Sequence, residues 1–106
     1  MAQFDVHRNG GKQRDSIPYV VVVQSSIFDA YDRRVVVPLV RVAELIAAGH
    51  PRLNPRFKIH DVTVALHPLQ IVSVPKRTLG EPVESLAAES ERIVAALDEM
   101  LSRGWG

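Results

Sequence analysis

The 106-residue sequence has no cysteine, which excludes disulfide bonds, thiolate metal sites and cysteine nucleophiles together. It also has almost no net charge: thirteen Lys and Arg against twelve Asp and Glu leave a formal +1. A chain so balanced is not a polycation drawn generally to nucleic acid or anionic lipid, although a local basic patch is compatible with it. Aromatic residues are few, 6% of the chain with one Trp. Apolar runs are short, none approaching the roughly 20 residues of a bilayer-spanning helix. The opening Met1-Ala2-Gln3-Phe4-Asp5 lacks the basic and then apolar stretches of a secretory signal. These absences lead to the expectation of a cytoplasmic protein without membrane association.

What is present fits one folded unit over residues 1–106, at 46% hydrophobic and 24% charged. Short β-type runs fill the first three quarters. Phe4-Asp5-Val6-His7 alternates apolar and polar, and Arg8 to Ser16, with Gly10-Gly11, reads as a polar loop. Ile17 to Gln24 contains Val20-Val21-Val22-Val23, the β-branched composition of a central strand covered on both faces. After a polar connection, Arg34 to Leu39 is a second apolar strand expected to end around Pro38. Val40 to Ala48 then changes period, with Val42, Leu45 and Ile46 on one helical face and Gly49 and Pro51 as the stop.

Phe57-Lys58-Ile59 and Val62 to Leu66 form an expected hairpin around His60-Asp61, and Gln70 to Val74 a further strand closed by Pro75. Connections this short favour antiparallel pairing. From about Glu84, the residues Leu86, Ile93, Val94, Leu97, Met100 and Leu101 recur at spacings near three and four, an amphipathic helix ended by Gly104. A sheet-rich body followed by one helix is α+β architecture.

Motifs that carry chemistry are scarce. His7, His50, His60 and His67 are scattered without metal-ligand spacing, and read as ordinary surface or strand histidines. Gly10-Gly11-Lys12 lacks the spacing of a phosphate-binding loop. Asp29, Asp32, Arg33 and Arg34 make a tight acid–base cluster. Such groups can serve phosphodiester cleavage through proton transfer and charge stabilisation. The plainer reading is a solvated turn with ion pairs worth under about 1 kcal/mol. Trp105 lies past the helix with glycine on both sides. It reads either as a binding anchor or as a ring folded back over the core.

Several strings in their order resemble the CcdB family of toxins. They are Gln3-Phe4-Asp5-Val6, then Val23-Gln24-Ser25-Ser26-Ile27-Phe28-Asp29, and, most specifically, Arg33-Arg34-Val35-Val36-Val37-Pro38-Leu39. Leu53-x-Pro55, Ile59-x-Asp61, Ser73-Val74-Pro75 and Leu79-Gly80-Glu81 follow at similar spacing, and Trp105-Gly106 closes the chain. The resemblance implies an SH3-like barrel of mostly antiparallel strands, of the CcdB, MazF and Kid type, with a small extra sheet and a long C-terminal helix. It implies a homodimer that binds the A subunit of DNA gyrase and traps the cleaved-DNA complex. It further implies neutralisation by a cognate CcdA-like antitoxin, no cofactor, no catalytic residue, and no sequence-specific nucleic-acid binding of its own. The gyrase contact falls on Trp105 and Gly106, with Ile27 and Phe28 at the matching loop positions. Two departures stand out: Ser102-Arg103-Gly104 intervenes before the tryptophan, and His60 stands where the family tends to have glycine.

Two other readings accompany this one. An endoribonuclease of the MazF or Kid type would use Asp29, Asp32, Arg33 and Arg34 on single-stranded RNA, but the sequence lacks the basic, aromatic stripe that stacks bases. The second is a diverged, non-toxic CcdB homologue kept for complex formation.

Overall fold

A computed structural model describes residues 2–44 and 49–102. Seven strands and one helix organise them. The strands are β1 (Asp5–Arg8), β2 (Tyr19–Val22), β3 (Arg33–Arg41), β4 (Arg56–Ile59), β5 (Val62–Leu66), β6 (Val72–Pro75) and β7 (Glu84–Ser85), and the helix is α1 (Ser90–Ser102). Every strand pairing is antiparallel. The sheet runs β4-β5-β3-β2-β1-β7, with β6 branching from β3. This is a nearly closed, barrel-like sheet with one C-terminal helix, the expected α+β class. Where a small extra sheet was expected, the described residues hold one sheet, from which β6 branches at β3.

β3 is the pivot. Its first half, Arg33–Val36, pairs with β6, and its last residues, Leu39–Arg41, pair with β5. β2 runs along the other side from Val36 to Leu39. The strand therefore does not end near Pro38 as the sequence suggested. A residue's N–H and C=O point the same way in an antiparallel ladder. The Pro38 carbonyl accepts the His67 amide at 3.0 Å, away from β2. The missing proline N–H thus falls where β3 changes partners, and costs no β2–β3 bond.

Strand alternation feeds two apolar clusters. Val6, Tyr19, Val21, Val37, Leu39, Phe57, Ile59, Val64 and Leu66 face inward and meet Leu86, Ile93 and Ala96. On the opposite face Val22, Val36 and Leu79 form a smaller cluster flanked by Val20 and Val74. The valine run of β2 is covered on both sides as expected, although the strand itself is the shorter Tyr19–Val22.

Two helix expectations need correction. Val40 and Arg41 remain in β3, paired to Ala65 and Val64, and Val42–Glu44 is one 3-10 turn. Leu45 to Ala48 lie outside the described residues. The C-terminal helix starts at Ser90 and not near Glu84. Glu84 and Ser85 are instead taken by the sheet, paired to Val6 and Asp5. The amides of Val83 and Leu86 also bond the carbonyls of Val6 and Phe4 at 2.8 and 2.9 Å. Tertiary pairing overrides local helix preference here. Gly104 lies outside the described residues.

The barrel seam is closed by side chains. His60 Nε2 donates to the Val83 carbonyl at 3.2 Å, linking the β4–β5 turn to the segment that enters β7. Arg92 of α1 donates to the Arg56 carbonyl at 2.7 Å and lies 4.5 Å from the centroid of the Phe57 ring. Arg92 thereby ties the helix to β4 and satisfies one carbonyl of that edge strand.

Candidate protein-binding surface

The loop between β2 and β3 shows large apolar side chains to solvent on a backbone that is firmly held. Ser25 opens a 3-10 turn, Ser26–Phe28, its hydroxyl accepting the Ile27 amide at 3.4 Å. Amides of Phe28, Asp29 and Tyr31 bond the carbonyls of Ser25, Ser26 and Phe28 at 3.0–3.1 Å. Gln24 staples the loop base: its amide nitrogen donates to the Phe28 and Arg33 carbonyls, both at 3.2 Å, and its oxygen accepts the Val35 amide at 3.0 Å.

Arg34 completes the frame from within. Its guanidinium is buried and donates to the carbonyls of Tyr31 (2.6 Å), Arg33 (2.9 Å) and Asp29 (3.0 Å). The Asp29 carboxylate stands 3.8 Å away. A buried cation needs partners of this kind, and three carbonyl dipoles with one carboxylate provide them. Its Nε is buried without a hydrogen-bond partner.

On this frame Ile27 is 81% exposed, Phe28 47% and Tyr31 65%. The Phe28 and Tyr31 rings lie tilted with centroids 6.3 Å apart. Large apolar side chains held out on an ordered loop mark an interaction surface more readily than a scatter of single residues does. Ile27 and Phe28, read from the sequence as contact residues, are placed side by side here. Trp105 and Gly106, read as their companions, lie outside the described residues.

The acid–base cluster does not converge on a point. Arg34 turns into the loop, whereas Arg33 crosses β6, its Nε donating to the Ser73 hydroxyl at 2.9 Å and its Nη2 to the Ser73 carbonyl at 2.6 Å. Asp32 contributes a backbone carbonyl to the Lys76 amide at 2.8 Å. With Asp29 beside Arg34, these four residues hold the loop and tie it to β6.

The histidines are separate from one another in role. His7 is fully buried, and its Nδ1 donates to the Gly80 carbonyl at 2.8 Å. His50 Nδ1 accepts the amides of Arg52 and Leu53, each at 3.2 Å. His60 closes the seam, and His67 lies beside Pro68 with a buried, unpartnered Nδ1. Among the described residues no three His, Asp or Glu side chains are grouped to hold a metal ion. Among the same residues no helix is long and apolar enough to cross a membrane.

Sequence reasoning missed Tyr31 and Gln24. Tyr31 stands three residues after Phe28, and Gln24 is the first polar residue after the valine run; both signals were available.

A nearly closed antiparallel barrel with one C-terminal helix, carrying an exposed apolar loop held by a buried arginine, defines an α+β barrel protein of the expected class. A model of the CcdB protein family matches residues 3–103, and the chain belongs to that family. No curated protein matches it closely enough to count as a relative. At the level of the family, membership carries the role of a gyrase-poisoning toxin of a toxin–antitoxin pair, acting by binding protein and not as an enzyme in itself.

Proposed function

We propose that this protein binds the A subunit of DNA gyrase and traps the gyrase–DNA cleavage complex, and that a cognate CcdA-like antitoxin neutralises it in the cytoplasm. The whole chain, residues 1–106, acts as one CcdB-like toxin domain. The observation that carries this reading is the loop of Ile27 and Phe28: two bulky apolar residues at the positions where the family places its paired apolar contacts, exposed on a rigid frame. Trp105 and Gly106 supply the tail half of the contact.

A homodimer is part of the proposal. Besides the loop, Leu69, Ile71, Val72, Val94 and Leu101 are exposed, apolar side chains available for a second copy of the chain to cover. A two-fold dimer would present two loops and two tails to a two-fold partner.

The test is supercoiling by purified gyrase with the protein added. Inhibition with accumulation of cleaved DNA is expected, and Phe28→Ala and Trp105→Ala should each weaken it by about thirtyfold, the loss of roughly 2 kcal/mol that accompanies truncation of an aromatic hot spot. Unimpeded supercoiling at saturating folded protein would rule the proposal out.

A further inference from the structure

Where β3 and β6 pair, the Phe28 side of the loop opens onto a cavity of about 470 Å³. Val35 and the residue opposite it on β6, Ser73, line one side, and the Phe28 and Tyr31 rings line another. The surface they make is mostly apolar.

Tyr31 is set for contact. Its amide bonds the Phe28 carbonyl at 3.1 Å and its carbonyl accepts Arg34 at 2.6 Å, so the backbone is fixed on both sides of the ring. The exposed ring then has only two side-chain torsions to lose on binding, a small entropic cost for a large contact area.

The polar groups around the cavity are already paired. Gln24 donates its amide nitrogen to the Phe28 and Arg33 carbonyls, and its oxygen accepts the Val35 amide. Arg33 donates to both the hydroxyl and the carbonyl of Ser73. An apolar group entering here leaves none of these bonds unmade, so it avoids the penalty of covering an unsatisfied donor.

Charge selects in the same direction. Asp32 and Arg33 are the ionised side chains of the lining, one of each sign. A charged side chain of either sign therefore meets a like charge as well as an opposite one. Nucleic acid is disfavoured too. The two rings could stack a base, but Arg34 is buried, and the exposed charge of the loop is Asp29 and Asp32 against Arg33 alone. Phe28 belongs both to the cavity and to the exposed loop, so one partner can fill the first while it covers the second.

We infer that Tyr31 is a specificity-determining contact residue: with Phe28 and Val35 it clamps one large uncharged apolar side chain, of the leucine kind, projecting from the protein bound at the Ile27–Phe28 loop. The inference rests on reading the chain as a protein-binding toxin and names the chemistry recognised there.

The chain has two tyrosines, Tyr19 buried and Tyr31 exposed. Full-length protein made with fluorotyrosine therefore gives two fluorine resonances, and Tyr31→Phe assigns them. N-acetyl-leucinamide should move the Tyr31 line saturably at millimolar concentration and leave the Tyr19 line, which reports the fold, in place. The lysine and glutamate analogues and a single-stranded oligonucleotide should each bind at least about fivefold more weakly, as should the leucine probe to Phe28→Ala. No saturable movement, or an equal response to any of those three probes, overturns the clamp.

Binding of the purified gyrase A subunit is measured on the same proteins. Tyr31→Ala should weaken it about tenfold, and Tyr31→Phe, which keeps the ring, should bring it back to within about twofold of wild type. Phe28→Ala and Tyr31→Ala combined should lose less than the product of their separate losses, because both rings hold one side chain. Wild-type affinity in Tyr31→Ala, or losses that simply multiply, overturns the inference and leaves the gyrase reading standing. A leucine response in a protein that does not bind the gyrase subunit overturns only the gyrase reading. Sedimentation tests the other occupant. If Tyr31→Ala dissociates a wild-type dimer, a second copy of the chain fills the cavity and the inference fails; unchanged sedimentation supports it.

Discussion

The two faces of the sheet are made by alternate residues of the same strands, yet they are finished differently. Tyr19, Val21, Val37 and Leu39 look inward and are sealed by α1 through Ile93 and Ala96. Val20, Val22, Val36 and Pro38 look outward and are covered by the loop that brings in Leu79 and by Val74 of β6. That loop is pinned by His7, whose ring reaches the Gly80 carbonyl from β1. A helix is a continuous lid, whereas one loop leucine leaves a cleft. The difference shows that near-identical β-branched sequence is buried on both faces by different means, a helix on one and a loop leucine with a branching strand on the other.

The sharpest way to break this comparison is to truncate one leucine on each face. Leu39 is fully buried in the inner cluster, and Leu39→Ala should remove about 4 kcal/mol of stability; Leu79, at the margin of the cleft, should lose about 2 kcal/mol as Leu79→Ala, because solvent can occupy the space it vacates. Urea denaturation measures both. Equal losses would mean that the outer cluster is sealed as thoroughly as the inner one.

Arg33 and Arg34 give the next contrast, two adjacent guanidinium groups of opposite role. Arg34→Met leaves the Tyr31 and Asp29 carbonyls without this donor, while that of Arg33 keeps Gln24, and should cost about 1–2 kcal/mol, with faster proteolysis between Ser25 and Asp32. Arg33 is exposed, and Arg33→Ala should stay within about 0.5 kcal/mol. Specific RNA fragments produced by the wild-type protein and lost in Arg33→Ala would instead revive the endoribonuclease reading.

Much of this was legible in the sequence, for identifiable reasons. The valine run specified β2, the apolar strings Phe57-Lys58-Ile59 and Val62 to Leu66, separated only by His60-Asp61, specified the β4–β5 hairpin, and Ile93, Leu97 and Met100 specified the helix face. The exposed Ile27–Phe28 pair was readable through the resemblance. What local pattern could not reveal was long-range. Glu84-Ser85 look helical until β1 claims them, and Pro38 looks like a stop until the partner change in β3 makes its missing donor harmless. The cleft beside Leu79 was equally hidden, because its walls come from segments some sixty residues apart in the chain. Short-range periodicity records which face a residue takes, not what will cover that face.

The smallest expected effect lies at the seam over the inner cluster. The two-residue turn joining β4 and β5 has His60 at φ 46° and Asp61 at φ 68°. Both are left-handed, the geometry of a type I′ turn that favours glycine at its second position. Asp61→Gly removes a side-chain clash in that region but gives the unfolded chain more freedom, so the net gain should be about 0.5 kcal/mol. His60→Gly, the residue the family tends to carry, should gain less. It relieves the same kind of strain but forfeits the 3.2 Å bond to the Val83 carbonyl that ties the hairpin to the strand closing the barrel. Thermal denaturation of the two variants against wild type measures the order. If His60→Gly proves the more stable of the two, the histidine bond contributes nothing to closing the seam, and the inner face is sealed by α1 and backbone pairing alone.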